Sequence, residues 1–201
     1  MTRYSPRRRQ LGFTIVELMM SLAVLTVGIS GIIAMQRITA LSNQHSKSVA
    51  MATQIANSWQ DQLLLDGSIW RTSAGLAPQA ALANTTWLTN GTNPGVWFRP
   101  NYNVSRLFGS AFDALGNALA PNDIAQAQFC VHLLMVPVVA LTGNNADNAT
   151  FRVTVRVLWP RANASQTGTT NFCANDVDTV AQATDTYHSL YQTFAIRVRP
   201  S

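Results

Sequence analysis

Leu18 to Met35 is a run of eighteen residues without a formal charge, headed by one carboxylate, Glu17. As helix it covers about 27 Å, the thickness of a bilayer's hydrocarbon core, so a membrane segment is the conformation it best supports. Arg3, Arg7, Arg8 and Arg9 precede it. Basic residues hold their flank in the cytoplasm, which predicts that the chain after Met35 lies outside it. Glu17 is then out of place. A carboxylate at membrane depth costs on the order of 3 kcal/mol on insertion scales and calls for a functional partner.

No proline interrupts the chain between Phe13 and Leu65, and apolar residues continue at Ile38, Leu41, Val49, Ala52, Ile55, Ala56, Trp59 and Leu63. Steps of three, four and seven or eight make one helical stripe. We expect a single helix from about Phe13 to Leu65, with its second half packed on a soluble head. Asp66-Gly67 is the expected stop, glycine supplying a positive-φ cap. His45 and Lys47 fall between stripe positions and are expected to face solvent. In the first half, Gly28, Ser30, Gly31 and Ala34 form a small-residue stretch where another helix can approach closely.

Residues 67–126 are weakly patterned and read as a long connection with one strand at Val96-Trp97-Phe98, anchored to the head by Trp70 and Trp87. Clearer strands follow at about Ala127–Val136, Phe151–Trp159 and Tyr191–Val198. Alternation of apolar and polar residues in the last two predicts sheets with one buried face. The fold class is α+β: a long helix against an antiparallel sheet of about four strands.

The chain has 14 basic and 9 acidic residues, a formal charge of +5 and a pI near 9.9. Four of those arginines lie in residues 1–12, so the remaining 189 residues carry ten basic against nine acidic groups, or +1. No basic stripe for nucleic acid survives this subtraction. Arg152, Arg156, Arg197 and Arg199 are expected on the solvated face of the sheet. Charged residues make up only 11% of the chain, well below the usual quarter, as suits an extracytoplasmic surface of neutral polar groups.

Leu11-Gly12-Phe13-Thr14-Ile15-Val16-Glu17, behind its basic leader, resembles the processing signal of type IV prepilins and type II secretion pseudopilins. The resemblance implies that a prepilin peptidase cuts after Gly12 and methylates the new amine on Phe13, and that Glu17 pairs with a terminal amine during assembly. Secretory and twin-arginine signals fit less well: the apolar run is longer than an ordinary signal's and Glu17 has no role in either. Gly28, Gly31 and Met35-Gln36, with the strand Val153–Pro160, look most like PilV-type minor pilins. The implied organisation is a cleaved leader at 1–12, a membrane or filament-core segment at 13–36, an amphipathic half-helix at 37–66 and an extracytoplasmic head at 67–201. The implied fold is the pilin fold, held in the bacterial inner membrane with its head in the periplasm and then in a surface fibre.

That resemblance implies a structural subunit whose partners are the peptidase, other minor pilins, the major pilin and the inner-membrane assembly platform. A secretion pseudopilin, and an adhesin or DNA-binding module displayed on a pilus, are the alternatives. Cys130 and Cys173 suit an oxidising compartment. They are either two buried thiols or a bridge closing a loop of about 43 residues, worth roughly 4 kcal/mol by chain entropy; the position resembles the pilin disulfide. No Cys-x-x-Cys, His-Glu-x-x-His, Gly-x-Ser-x-Gly or phosphate-cradling loop occurs, and His45, His132 and His188 are scattered. We therefore expect no enzyme activity, metal, cofactor or small-molecule substrate.

Overall fold

The computed structural model describes residues 14–71, 77–92, 95–141, 149–161, 172–174 and 176–198. The chain divides into two units, Met1–Ser46 and Lys47–Ser201. Helix α1, Ile15–Ile69, contributes to both.

In the second unit, α1 buries Ala52, Ile55, Ala56, Trp59 and Leu63. These steps of three, one and four are one face of a 3.6-residue helix, so the stripe read from the sequence is a core face from Ala52 onward. Ile38 and Leu41, which extend the same stripe backward, are 70% and 51% exposed and belong to the first unit.

The helix does not stop at Asp66-Gly67 but runs on to Ile69. Gly67 is helical, and the positive-φ glycines among the described residues are Gly95 and Gly116. Glycine is required at 67 for a different reason: a Cβ there would lie 2.6 Å from Cγ2 of Ile196. It lets the last strand press onto the helix.

Four antiparallel strands run in the order β1 (Trp97–Phe98), β3 (Phe129–Val139), β4 (Thr150–Pro160), β5 (Tyr187–Arg197), and a fifth, β2 (Ala111–Phe112), pairs with β3 beside β1. Register places Val131 opposite Val157, Leu133 opposite Val155 and Met135 opposite Val153. These pairs share one sheet face and pack, with Phe151 and Trp159, in the same core as α1. Side chains alternate across a strand, so one register choice buries the whole set.

The connection after α1 is more structured than its composition implies. It holds the short helix α2 (Pro78–Ala81), 3₁₀ turns at Leu82–Asn84, Leu88–Thr92 and Pro121–Gln126, and strand β2. Trp70 stacks on Phe151 with centroids 5.2 Å apart and donates its Nε1–H to the Pro78 carbonyl at 2.8 Å. Trp87 meets Trp59 edge-on at 5.1 Å. Both Trp70 and Trp87 are buried, so each apolar body fills the core while its N–H finds a carbonyl, that of Asn101 for Trp87.

The sheet is also covered on its other face at one end. Cys130, Leu158, Phe172, Cys173, Val180 and Tyr187 form a second buried cluster, built by a 3₁₀ turn at Phe172–Ala174 and by helix α3, Val177–Gln182. Residues Val155–Trp159 are consequently all buried, where strict alternation predicts one solvated face.

Candidate functional site

Three features of the chain combine unusual residues with defined geometry: the N-terminal stretch of α1, a polar centre inside the head and a buried acid at the end of α1.

Thr14 starts α1. Its Oγ1 accepts the backbone N–H of Glu17 at 3.3 Å and its carbonyl accepts that of Leu18 at 3.2 Å, satisfying donors that a helix start leaves open. Glu17 sits in the first turn, where a carboxylate complements the helix dipole. From there the helix is exposed without interruption to Lys47. An eighteen-residue window has mean hydropathy 2.2 and none of it is buried, so the helix is long and apolar enough to cross a membrane.

Hydroxyls in this stretch are turned back on their own helix. Ser21 donates to the Glu17 carbonyl at 2.8 Å, Thr26 to Ala23 at 2.8 Å, Ser30 to Val27 at 2.8 Å and Thr39 to Met35 at 3.0 Å. Each removes a donor from the apolar surface, which lowers the cost of placing it in lipid. Cβ atoms added at Gly28 or Gly31 would meet nothing within 4 Å. Among the described residues nothing packs against these glycines. Eleven and fourteen residues are about three and four helical turns, so Glu17, Gly28 and Gly31 share one side of α1. Ser30 and Ala34, four apart, are neighbours on the adjoining surface. Gly12, Phe13 and Arg199 lie outside the described residues.

The head's polar centre sits on the second face of the sheet. Cys130 and Cys173 form a disulfide, with Cα atoms 5.3 Å apart. His132 and Arg156 are direct cross-strand partners on β3 and β4, and Arg156 Nη2 donates to His132 Nδ1 at 2.8 Å. The guanidinium lies 4.1 Å from the centroid of the Trp97 ring, a cation–π contact. Arg156 is thus buried at 3% exposure, not on a solvated face as its strand pattern implies. Arg99 donates to the Cys173 carbonyl. Burial, then the charges of Arg156 and Arg99, push the His132 imidazole down to about 3. A neutral ring that accepts from arginine at Nδ1 is locked in one tautomer and is structural.

Sequence reasoning missed a third arrangement, at the end of α1. Asp66 is completely buried. Its Oδ1 accepts from Thr86 N at 2.9 Å, and its Oδ2 from Trp87 N at 2.7 Å and Leu88 N at 3.1 Å. Arg106 completes the set at 3.1 Å from Oδ1. The signal was an acid on the stripe face, three residues after Leu63, which a helix-stop reading absorbed. Among the described residues no group of three His, Cys, Asp or Glu side chains is placed to hold a metal.

A family model for the prokaryotic N-terminal methylation motif matches residues 7–33. No curated protein and no solved structure matches the chain. The motif indicates a type IV pilin-like or pseudopilin protein and implies processing by a prepilin peptidase. Together with the apolar exposed helix it fits anchoring in the inner membrane. The long helix on an antiparallel sheet is consistent with a pilin fold.

Proposed function

We propose that this chain is a minor type IV pilin, a structural subunit that promotes fibre initiation and assembly with other minor pilins and the major pilin. The observation that carries the reading is the methylation motif at residues 7–33 leading into a helix of which no part is buried up to Lys47. Proteins with this signal are structural rather than enzymatic. A helix this apolar is stable only in lipid or among other apolar helices.

Cleavage after Gly12 frees the amine of Phe13, which N-methylation leaves able to carry charge. Glu17, near the start of the same helix, is the carboxylate positioned to neutralise such an amine on a neighbouring subunit. Removing one partner of a buried pair costs roughly 3–5 kcal/mol in proteins generally, so Glu17→Ala impairs assembly while leaving the head folded. Gly28, Ser30, Gly31 and Ala34 give neighbouring helices close approach, consistent with the open space around both glycines. The assembly platform of the inner membrane is the remaining partner in this scheme.

A type II secretion pseudopilin is the second reading, because the same motif serves both systems. Intact-mass spectrometry of the protein from membranes and from sheared surface fibres, with and without the peptidase, tests the proposal. Peptidase-dependent loss of residues 1–12 with one methyl group on Phe13, and recovery in fibres, are expected. An uncut amine in peptidase-competent cells overturns it, and processing with recovery only in secretion complexes transfers the chain to the second reading.

A further inference from the structure

The two edges of the sheet are finished differently. On one side it ends in β1 and β2, strands of two residues each, and strands that short offer little to an incoming chain. On the other it ends in β5, which is eleven residues long. Between Tyr187 and Arg197 there is no proline, glycine, lysine or acid, and the register with β4 runs from Thr150–Arg197 to Pro160–Tyr187 without a bulge. Brevity, proline, lysine and a bulge, the usual means of blunting an edge, are all lacking along β5.

Register decides which backbone groups this edge offers. Just beyond the two ends of the pairing, Val198 N donates to the Ala149 carbonyl and Arg161 N to the Thr186 carbonyl, both at 2.9 Å. Bonded pairs alternate with unbonded ones in an antiparallel ladder, so His188, Leu190, Gln192, Phe194 and Ile196 bond inward to β4. Ser189, Tyr191, Thr193 and Ala195 turn N–H and C=O outward, and among the described residues those groups have no partner. All four residues are exposed. Their side chains leave the edge clear: the Tyr191 ring leans back across the sheet to meet Trp97 edge-on at 6.1 Å, and the Thr193 hydroxyl lies 3.0 Å from that of Thr154. From the helix side Gln192 bonds to Asn57 and Gln60, which holds β5 in place before anything binds.

We propose that β5 is a docking edge for an extended strand of a different polypeptide, added antiparallel to Ser189–Arg197. Only an extended backbone repeats a donor and an acceptor at every second residue, the spacing of the four outward residues. The chemistry of the incoming strand follows from what lies on either side of it. Next to Leu190 and Phe194, half-buried against the core on the α1 side, it carries aliphatic side chains; on the outer face, beside Ser189, Thr193 and Ala195, it carries polar ones. Arg152 and Arg197 are exposed at the far end of this edge and β3, β4 and β5 contain no acid, so an acidic residue starts the strand. A second copy of β5 does not serve. Antiparallel pairing of β5 with itself relates two heads by a two-fold axis through the sheet and reverses one α1 against the other, whereas chains anchored in one membrane keep the same direction. That exclusion alone rests on the fibre-subunit reading.

The probe is a synthetic peptide of alternating valine and threonine headed by glutamate. It is added to the full-length protein, purified in detergent from peptidase-competent cells, and followed by residue-resolved amide exchange. With the peptide at about ten times its Kd, exchange is expected to slow about tenfold at Ser189, Tyr191, Thr193 and Ala195. Leu190, Gln192 and Phe194, already bonded to β4, should not change. The same peptide N-methylated at its threonines, whose N–H groups face β5, should not bind. Thr193→Pro removes one outward donor and none of the β4 ladder, so it is expected to keep the parent's Tm and to weaken binding at least about tenfold; if that variant does not fold, the N-methylated peptide decides. No binding up to about 1 mM, slowing at the inward residues as well, or capture of the N-methylated peptide overturns the proposal. Outward amides that slow with protein concentration and no peptide overturn it in favour of a second copy. N-terminal mass is read on the same sample: an uncut chain that captures the peptide refutes the fibre subunit and keeps the docking edge, and a cut chain that does not capture it does the reverse.

Discussion

Asp66 and Arg106 meet at 3.1 Å, and the same carboxylate caps the backbone N–H groups of Thr86, Trp87 and Leu88. The side chain of one helix thus starts a turn twenty residues away in sequence, tying α1 to the connection that follows it. With Asp66 fully buried and Arg106 partly exposed, the two residues are unequal. Asp66→Ala strands a guanidinium and three backbone donors, and is expected to cost roughly 3–5 kcal/mol. Arg106→Met leaves the carboxylate its three backbone donors and costs about 1.5 kcal/mol, one hydrogen bond to a charged group. Urea denaturation of the full-length chain in detergent compares them; equal losses would show that the ion pair, not the cap, holds the carboxylate.

Gly67→Ala sets helix propensity against space. Alanine gains up to about 1 kcal/mol in a helix interior, but its Cβ meets Ile196 Cγ2 at 2.6 Å, and overpacking costs roughly 1–3 kcal/mol. A branched methyl on β5 cannot swing away, so net destabilisation is expected. Ile196→Ala removes the obstructing methyl. Stability of both single variants and the double variant should show a coupling of at least about 0.5 kcal/mol, the double being better than the sum. Additivity would mean that β5 shifts freely and that the contact is not tight.

Acid should weaken the head through His132. Its folded value near 3 lies below the usual 6.5 of an unfolded histidine, so between those values the unfolded chain binds the extra proton. Stability from this group is fully present above pH 6.5, falls as the pH drops through that window, and is exhausted near 3. From pH 6.5 to 5 the loss is on the order of 1–2 kcal/mol, before most carboxylates titrate. His132→Gln should flatten that part of the curve in denaturation measured at each pH. An unchanged slope would place the titration elsewhere.

Removing the Cys130–Cys173 bridge by Cys130→Ala with Cys173→Ala opens a loop of sequence separation 43 and should cost about 4 kcal/mol on the chain-entropy account. The second cluster beneath it, Leu158, Phe172 and Val180, is expected to loosen first, because the Phe172–Ala174 turn is held to β3 by this bridge. Hydrogen exchange at Phe172 and Val180, compared with protection at Leu133 in the central sheet, reads the effect; uniform loss across the head would contradict it.

Much of this architecture was legible because it rests on period. Trp59 and Leu63 repeat at helical spacing, and Val153, Val155 and Val157 at strand spacing, so α1, β3, β4 and β5 follow from which residues must share a face. Arg156 was misplaced because a pattern reports one face at a time and cannot show that α3 and the Phe172 turn cover the other. Asp66 and Gly67 look like a helix stop, a local signal overridden by partners at Trp87 and Ile196 that no local window contains. The methylation motif was readable because its signal lies in contiguous residues, 7–33. The left-handed backbone at Leu107 was not, since backbone strain leaves no compositional trace when the residue is leucine.

The bonds from Gln192 Nε2 to Asn57 and Gln60 span 135 and 132 residues, and β5 is the last strand among the described residues. During synthesis α1 is complete long before the strands β3, β4 and β5 of its sheet exist. Loop closure over such distances is slow and must precede the contacts that offset it. The apolar face of Ala52, Ile55 and Trp59 therefore waits until β3 and β4 supply Leu133, Val153 and Val155 to the same core. A chain truncated before Tyr187 lacks Ile196 against Gly67 and the Gln192 bonds to Asn57 and Gln60, so β5 is what ties the far edge of the sheet back to the helix.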